Sequence, residues 1–349
     1  MSPDGKTRFL VVQTGFLGDL VLTLPCVQLL RDRMEGALIT VAAIPPTAPA
    51  LENHPAVAGV LVYDKKGSDA GWAGFRRVKG AVRSGGFDAA VIPHRSIRSA
   101  ALCRLGGIRR RIGFDRSAGR FLLTDVVPYR RDLHESARNI RLLHPLGIRE
   151  EGIVLPALYP DEEDRKAVDA LLRAGGVGPG AALAAVAPGS VWATKRWPED
   201  RYVTLVRGLR QAGMGVVLVG GPGDAALAGR IREAAGAEGV LNAAGPMSIL
   251  QSAELIGRCR VCITNDSAPL HLAAAMRTPA VAIFGPTVPA FGFGPVGERD
   301  AVVELAGLGC RPCAIHGGRE CPIGTFECMK GIPPGPVLVE ALRSAGCPG

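Results

Sequence analysis

The chain has 349 residues, of which 47% are hydrophobic and 21% charged, and its formal net charge is +9. This composition excludes a disordered chain and a coiled coil, and at roughly 150 residues per domain the length predicts two domains. Residues 1–160 hold 23 Lys+Arg and 14 Asp+Glu, whereas residues 161–349 hold 18 of each. The basic excess therefore lies in the N-terminal half, which indicates an anionic partner for that half.

A basic nucleic-acid-binding protein would also explain the charge. Only 5% of the residues are aromatic, however, and no recognised nucleic-acid-binding motif is present, so we expect no nucleic-acid partner. No apolar run reaches the ~18 residues that span a bilayer, and Met1–Arg8 lacks the basic-then-apolar order of a signal peptide. The nine cysteines, an odd number, argue against a secreted disulfide scaffold. We therefore expect a cytoplasmic protein.

In the first half, short apolar runs alternate with segments of helical periodicity. Strands are predicted at Phe9–Gln13, Leu38–Ile44, Val57–Tyr63 and Ala89–Pro93. Helices are predicted at Leu17–Met34 and at Trp72–Arg83, the second with a basic face. Near-continuous apolar strands separated by helices predict a parallel sheet covered on both faces.

The second half repeats this pattern after a boundary near residue 160. Its predicted strands are Ala182–Ala187, Gly215–Val219, Val240–Asn242, Arg260–Thr264 and Ala280–Phe284. Its predicted helices are Tyr202–Ala212, Ala225–Ala234, Ile249–Gly257 and Pro269–Met276. The expected fold class is α/β, with two doubly wound parallel sheets in tandem, which bind ligands at the carboxyl ends of their strands and hence in the cleft between them.

The first predicted strand ends in the glycine-containing turn Gln13–Asp19. Glycines at a strand-to-helix turn leave backbone N–H groups available to an oxyanion. Neither the dinucleotide fingerprint G-x-G-x-x-G nor a Walker loop is present, which disfavours a nucleotide-dependent oxidoreductase. Asp19 is either a helix-start charge or a general base that takes a proton from an acceptor hydroxyl.

Two further segments follow strands of the second half. Pro188–Ser190 and then Lys195–Pro198 could form a diphosphate clamp, with Lys195 as a point charge and Ser190 as a hydroxyl donor; a solvated surface pair is the alternative. In the segment Thr264–Ala273, a predicted buried strand ends in small polar residues, and a predicted helix then begins near Pro269. Helix capping by Asp266 or Ser267 explains part of this pattern, and a phosphate or ribose site explains the rest.

Taken together, four segments resemble the ADP-heptose:lipopolysaccharide heptosyltransferases. They are Phe16–Asp19 with Leu24-Pro25, Lys195–Pro198, Asn265–Ala274 and Phe284–Thr287. Their order and spacing match the family over roughly residues 8–340. The resemblance implies a GT-B fold, with two Rossmann-like domains facing across a cleft, and an inverting glycosyltransferase. It also implies a nucleotide-sugar domain at 161–349 and an acceptor domain at 1–160, and it favours the second heptosyltransferase.

The resemblance implies a role for each matching position. Asp19 is the expected catalytic base and Lys195 the expected cation that neutralises the ADP leaving group. The other expected donor-binding residues are Gly18, Ser190, Asp224, Met247, Asp266, Ser267, Ala268, Leu270 and His271. A core methionine is the alternative for Met247. The family usually has Gly where this chain has Ala268, whose methyl could narrow the approach of the diphosphate. Another nucleotide sugar remains an alternative donor.

The implied acceptor is a lipid A–Kdo inner-core glycolipid, which carries carboxylates and phosphates. Its candidate contacts are Arg95, Arg98, Arg111 and Arg116, since Arg suits bidentate binding of such groups. The Trp72–Arg83 helix could touch an anionic surface, which places the protein peripherally at the cytoplasmic face of the inner membrane. No cofactor is expected for catalysis, because no Asp-x-Asp occurs and a lysine can do what Mg²⁺ does elsewhere.

Four cysteines form a C-x2-C-x7-C-x6-C pattern in a Gly/Pro-rich segment: Cys310, Cys313, Cys321 and Cys328. Four thiolates within about 19 residues could close a tetrahedral Zn²⁺ site. Iron–sulfur ligation, or no metal, are the alternatives. The spacing thus makes a structural Zn²⁺ site one interpretation of this segment.

Overall fold

The computed structural model describes residues 6–178 and 180–347. Contacts divide the chain into two units, Met1–Tyr159 and Pro160–Gly349. In the first unit the strands are β1 Arg8–Val12, β2 Leu38–Ala43, β3 Gly59–Val62, β4 Ala89–Ile92, β5 Arg110–Phe114 and β6 Asp125–Val127. Its helices are α1 Leu17–Val21, α2 Leu24–Arg33, α3 Gly71–Ser84, α4 Ile97–Leu105 and α5 Glu135–Arg141.

The second unit contains the other strands and helices. Its strands are β7 Leu183–Ala187, β8 Gly215–Leu218, β9 Val240–Asn242, β10 Val261–Asn265, β11 Ala280–Phe284 and β12 Ala301–Glu304. Its helices are α6 Glu162–Ala174, α7 Glu199–Gln211, α8 Ala225–Ala235, α9 Ile249–Gly257, α10 Ala268–Ala275, α11 Glu327–Lys330 and α12 Pro334–Ser344. No helix among the described residues is long and apolar enough to cross a membrane.

Each unit holds one six-stranded sheet in which the described strand pairs are all parallel. The strand orders are β3-β2-β1-β4-β5-β6 and β12-β11-β10-β7-β8-β9. Counted from the first strand of its own unit, the second order is the same as the first. In both sheets the winding direction reverses between the first and fourth strands, and ligands of doubly wound sheets bind at this switch point.

The central strands are buried on both faces, as parallel strands covered by helices must be. In β1 the residues from Phe9 to Val12 are at most 1% exposed, and β7 and β10 are buried throughout. Side chains of the second unit, among them Trp197 and Tyr202, pack into one apolar cluster between the sheet and its helices. The sheets are therefore rigid supports for the loops at their carboxyl edges.

The predicted helix Leu17–Met34 is two helices in the structure. Pro25 is the second residue of α2, and it has no N–H to continue the hydrogen-bond ladder of α1. The chain consequently forms a turn at Leu22–Thr23, where both residues keep right-handed helical dihedral angles but the i to i−4 hydrogen-bond ladder is interrupted. Asp19 thus lies in a helix of only five residues.

Candidate functional site

At the switch point of the second sheet, Asn265 connects three segments. This fully buried side chain accepts hydrogen bonds from Trp197 N at 3.1 Å and from Tyr202 Oη at 3.0 Å. Its amide donates to the carbonyls of Pro188 at 2.9 Å and Gly189 at 3.2 Å. Asn265 therefore fixes the loop after β7 and the segment that leads into α7 to the end of β10.

Lys195 and Asp266 form a buried ion pair beside this amide. Lys195 Nζ donates to Asp266 Oδ2 at 2.6 Å and to the Asp266 carbonyl at 3.2 Å. Thr287 Oγ1, from the segment after β11, donates to the same carboxylate oxygen at 2.6 Å. The ammonium, the carboxylate and the hydroxyl come from three different strand ends, and the parallel sheet brings them to one edge.

Next to this pair, α10 presents its N-terminal N–H groups. Ser267 is the N-cap residue but its side chain makes no capping hydrogen bond; its hydroxyl lies 3.3 Å from Thr264 Oγ1. Asp266 is bonded to Lys195 and Thr287, so capping does not account for either polar residue. A helix N-terminus beside a lysine and hydroxyl groups is chemically suited to an anion such as a phosphate.

The other donor-site candidates are spread over both units. Asp224 lies against the loop after β7, because a Cβ added to Gly189 would come 2.1 Å from Asp224 Oδ1. Ser190 and His271 are buried, Met247 is half-buried in the loop before α9, and the Leu270 side chain is in the core. Ala268 is the first residue of α10, and Gly18 lies in α1 of the first unit. Leu270 and Ala268 can therefore contribute only backbone groups or apolar contact.

In the first unit, Asp19 is the third residue of α1, the short helix that follows β1. Its Oδ2 accepts a hydrogen bond from Phe16 N at 3.1 Å, so the carboxylate has the helix-start role as well. A Cβ on Gly15 would come 2.9 Å from Asp19 Oδ2 and 2.9 Å from Gln13 Oε1. The absence of a side chain at Gly15 thus lets the Asp19 carboxylate occupy this position, where it is half-buried.

A second polar group lies at the same edge, and sequence reasoning did not find it. Lys65 Nζ, from the loop after β3, donates to the Thr14 carbonyl at 2.6 Å and lies 3.3 Å from Thr14 Oγ1. The Thr14 hydroxyl is also 3.1 Å from His94 Nδ1, and Ser99 Oγ is 2.9 Å from the same ring atom. Burial, with the charges of Lys65 and Arg95, lowers the pKa of His94 to about 4.

His94 is accordingly neutral at physiological pH, and the positive charge at this edge is carried by Lys65 and by neighbouring arginines. Burial, with the charges of Lys66 and Arg98, lowers the pKa of Lys65 from its ordinary value. The only signal for Lys65 in the sequence is a lysine pair after a strand, which most often marks a solvated loop.

The four arginines proposed from the sequence have two different environments. Arg95, Arg98 and Arg116 are exposed and follow the ends of β4 and β5. Arg111 is different: it is the second residue of β5, is only 9% exposed, and its guanidinium donates to the carbonyls of Leu122, Ile108 and Arg109. The prediction of Arg111 as an acceptor contact is therefore corrected, because its donors already hold the main chain around β5.

The cysteine segment Cys310–Cys328 packs against the lysine-bearing loop of the second unit. Thr194 N and Oγ1 donate to the Gly318 carbonyl at 3.1 Å and 3.0 Å, and Gly318 N lies 2.7 Å from Thr194 Oγ1. Cys313, Cys321 and Cys328 line one small cavity with Thr194. Within residues 6–178 and 180–347, no group of three or more His, Cys, Asp or Glu side chains is arranged to hold a metal ion.

Comparison with known proteins identifies a family for this chain. The family model for glycosyltransferase family 9 (heptosyltransferase) matches residues 75–323. Lipopolysaccharide heptosyltransferase 2 of Escherichia coli K12 is 29% identical over 315 residues, covering 85% of this chain and 88% of that protein. Lipopolysaccharide heptosyltransferase 1 of Pseudomonas aeruginosa is 29% identical over 327 residues, covering 88% and 86%.

Solved structures confirm the predicted GT-B α/β fold. That of E. coli ADP-heptose LPS heptosyltransferase II has a TM-score of 0.80 and 25% identity, covering 97% of this chain and 98% of that one. That of a family 9 glycosyltransferase from Veillonella parvula has a TM-score of 0.87 and 23% identity, covering 97% of both chains. With the family match over most of its length, the chain belongs to glycosyltransferase family 9, the heptosyltransferases.

Proposed function

We propose that this glycosyltransferase moves heptose from ADP-heptose to the inner core of lipopolysaccharide, with inversion at the anomeric carbon. The observation that carries the proposal is the cluster of Lys195, Asp266 and Thr287 beside the N-terminus of α10. The names of the relatives, which include heptosyltransferases 1, 2 and 3, support heptose as the sugar. The resemblance of the Gln13–Asp19 turn and the cysteine segment to the second branch favours an already attached heptose as acceptor over Kdo.

In this proposal residues 161–349 bind the sugar nucleotide. Lys195 supplies a fixed positive charge to the departing diphosphate, and Ser190 and the N–H groups of Ser267 and Ala268 hydrogen-bond its oxygens. The Leu270 N–H instead donates to the Ser267 carbonyl at 3.1 Å, so Leu270 contributes apolar contact. Asp266 orients the Lys195 ammonium and, with His271, holds the heptose. Asp224 meets a ribose hydroxyl, which its position against Gly189 supports, and Met247 packs on the adenine.

Residues 1–160 bind the acceptor, and Asp19 acts as the base. The acceptor hydroxyl oxygen forms a bond to the anomeric carbon from the face opposite the diphosphate, its proton passes to Asp19, and the bond to the diphosphate oxygen breaks. ADP leaves with the electron pair of that bond, so the reaction balances without a cofactor. The role of Gly18 is to let the chain approach the donor closely. Arg95, Arg98 and Arg116, joined by Lys65, bind the acceptor carboxylates and phosphates.

The test is a transfer assay with ADP-heptose and two acceptors, one ending in Kdo and one already carrying a heptose. We expect Asp19→Asn to reduce kcat by at least about 100-fold, since the base is lost while the size of the side chain is kept. Glu163→Gln, at an exposed first-turn carboxylate of α6, is the matched control and should leave kcat unchanged. Equal rates for wild type and Asp19→Asn would remove Asp19 as the base, and absence of transfer by the wild type would end the proposal.

Lys195 is tested in the same assay. Lys195→Ala removes the charge from the leaving group and should reduce kcat by about 100-fold or more. The matched control is Lys166→Ala, whose lysine is 59% exposed and forms an ion pair with Glu163. If both lysine variants retain wild-type kcat, another group must neutralise the diphosphate.

A structural Zn²⁺ held by Cys310, Cys313, Cys321 and Cys328 is a separate proposal. It is supported by the spacing and by the common cavity of three of these thiols, but the four thiols are not assembled as ligands and would have to move to coordinate one ion. We expect about one zinc per chain by mass spectrometry of the purified protein, and its loss in Cys313→Ser but not in Cys103→Ser, whose thiol is in the apolar core. A wild-type protein without zinc would refute this proposal.

A peripheral position at the cytoplasmic face of the inner membrane is also proposed, through α3. Trp72 on this helix is 69% exposed, and Arg76 is exposed beside it, whereas Arg77 is paired with Asp69. Reversing the charges of Arg76 and Lys79 to Glu should weaken sedimentation with anionic vesicles, while Lys166→Glu on α6 should not. Unchanged sedimentation of the α3 variant would contradict this membrane contact.

A further inference from the structure

Tyr129, between β6 and α5, is fixed from several directions. Its N–H donates to Asp115 Oδ1 at 2.9 Å, and its ring meets the edge of Phe114 with centroids 5.1 Å apart. Its hydroxyl accepts from Arg138 Nη1 at 2.7 Å and lies 3.3 Å from Glu135 Oε2. These contacts fix both the position and the tilt of the ring.

Arg138, the residue that holds the Tyr129 hydroxyl, is almost completely enclosed. Its side chain is 2% exposed and is paired with Glu135 at 2.6 Å. Its other guanidinium nitrogens donate to the carbonyls of Arg130 at 2.7 Å and Arg131 at 3.0 Å. A buried guanidinium whose nitrogens all have fixed acceptors cannot change rotamer without breaking several hydrogen bonds.

One face of the Tyr129 ring supports Arg95. The Arg95 guanidinium carbon is 4.4 Å from the ring centroid, within the range of a cation–π interaction. Arg95 is exposed, and its positive charge acts on the Glu135 carboxylate, where it opposes the rise in the pKa of that group. The ring therefore limits the orientations of Arg95 while the positive charge remains available to an anion from outside.

The helix that holds Tyr129 is also anchored to the turn that carries Asp19. Asn139 of α5 donates to the Leu22 carbonyl at 3.2 Å and to Thr23 Oγ1 at 3.4 Å, and Thr23 Oγ1 donates to the Asp19 carbonyl at 2.8 Å. Burial raises the pKa of Glu135, and the negative charge of nearby Asp19 raises that pKa further. The single helix α5 thus fixes the surroundings of both Arg95 and Asp19.

We propose that Tyr129 is a positioning residue, whose ring, held by Arg138, orients the Arg95 guanidinium to bind an anionic group of the acceptor. This inference rests on the proposed function, because Arg95 is an acceptor contact only there. Orientation before binding reduces the entropy that is lost when the anion binds, so it acts on acceptor affinity. The donor KM and kcat should not depend on it.

The test changes the electrostatics of the ring with only small changes in its size, and the loss of the hydroxyl contact with Arg138 is common to all three replacements. Tyr129 is replaced by Phe, by 4-fluorophenylalanine and by 3,4,5-trifluorophenylalanine, which weaken the attraction for a cation in that order. We expect the acceptor KM to rise along the series, by about 2- to 5-fold from Phe to the trifluoro ring, with donor KM and kcat constant. The same series at Phe87, which precedes β4 at the amino edge of the sheet, is the control. An acceptor KM that does not change along the Tyr129 series overturns the inference.

A double-substitution cycle provides the second measurement. Arg95→Ala alone should raise the acceptor KM, and Tyr129→Leu should add nothing to it if the ring acts only through Arg95. Additive effects, or an unchanged KM in Arg95→Ala, overturn the inference. A wild type that transfers no heptose would instead refute the proposed function, so the two failures are distinguishable.

Discussion

Replacing Asn265 by Ala should destabilise the second unit more than any single surface change. The substitution removes two acceptor contacts, from Trp197 N and Tyr202 Oη, and two donor contacts, to Pro188 O and Gly189 O. Each buried hydrogen bond contributes about 0.5–1.5 kcal/mol, so four predict a loss of about 2–6 kcal/mol in the free energy of unfolding. The upper part of this range applies if the buried Trp197 N–H is left without an acceptor.

Urea unfolding followed by near-UV circular dichroism is a suitable assay, since Trp197 and Tyr202 pack edge to face at 4.9 Å and report on this region. Asn242→Ala is the matched control: that half-buried amide donates to Ala225 O and accepts from Ala244 N, and the loss of these two hydrogen bonds should cost about 1–3 kcal/mol. A destabilisation below about 1 kcal/mol for Asn265→Ala would refute the reasoning, because four buried contacts would then contribute less than one ordinary hydrogen bond.

Three further predictions concern the first unit. The pKa of His94 is about 4 in the folded chain and about 6.5 in the unfolded chain, so between these pH values the unfolded chain binds one more proton than the folded chain. The free energy of unfolding should therefore be at its full value above pH ~6.5 and fall by roughly 3 kcal/mol as the pH drops to 4. Urea unfolding of His94→Gln at the same pH values should lack this pH-dependent loss. Gly15→Ala should displace the Asp19 carboxylate and reduce kcat about 10- to 100-fold in the transfer assay, and wild-type kcat would contradict this. Arg138→Met leaves the buried Glu135 carboxylate without its ion pair and should lower the free energy of unfolding in urea by about 3–5 kcal/mol. Arg130→Met, at a half-exposed guanidinium, should change that free energy by less than about 0.5 kcal/mol. Equal effects of the two substitutions would refute the role of burial.

The sequence was sufficient for the strands that are apolar throughout. The predicted Ala280–Phe284 coincides with β11, because a strand buried on both faces leaves an uninterrupted apolar run. The predicted Val240–Asn242 coincides with β9, an edge strand in which only Val240 is buried. β5 was missed because it begins with Arg110 and Arg111. Arg111 is buried, and its guanidinium donates hydrogen bonds to main-chain carbonyls. A hydropathy pattern does not reveal such an arrangement.

The candidate sites likewise include residues that the sequence reveals and residues that it does not. Segments that directly follow apolar strands, such as Lys195–Pro198 and Asn265–Ala274, could be selected from the sequence, although their roles remain proposals. Lys65 and Tyr129 could not, since the reasons to select them are contacts with residues remote in the chain: Lys65 with Thr14, 51 positions away, and Tyr129 with Arg95. Such pairs become visible only when the parallel strands bring their loops to a common edge.

The contact between Thr194 and Gly318 has a consequence for chemical modification of the protein. Its hydrogen bonds run from the residue next to Lys195 to the loop between Cys313 and Cys321, so neither segment can shift by the length of a hydrogen bond without the other. Cys310 and Cys313 are exposed to solvent. An alkylating reagent that attaches a bulky group to one of these thiols would displace the loop that carries Lys195. A covalent inhibitor could in this way reduce activity without competing with the sugar nucleotide.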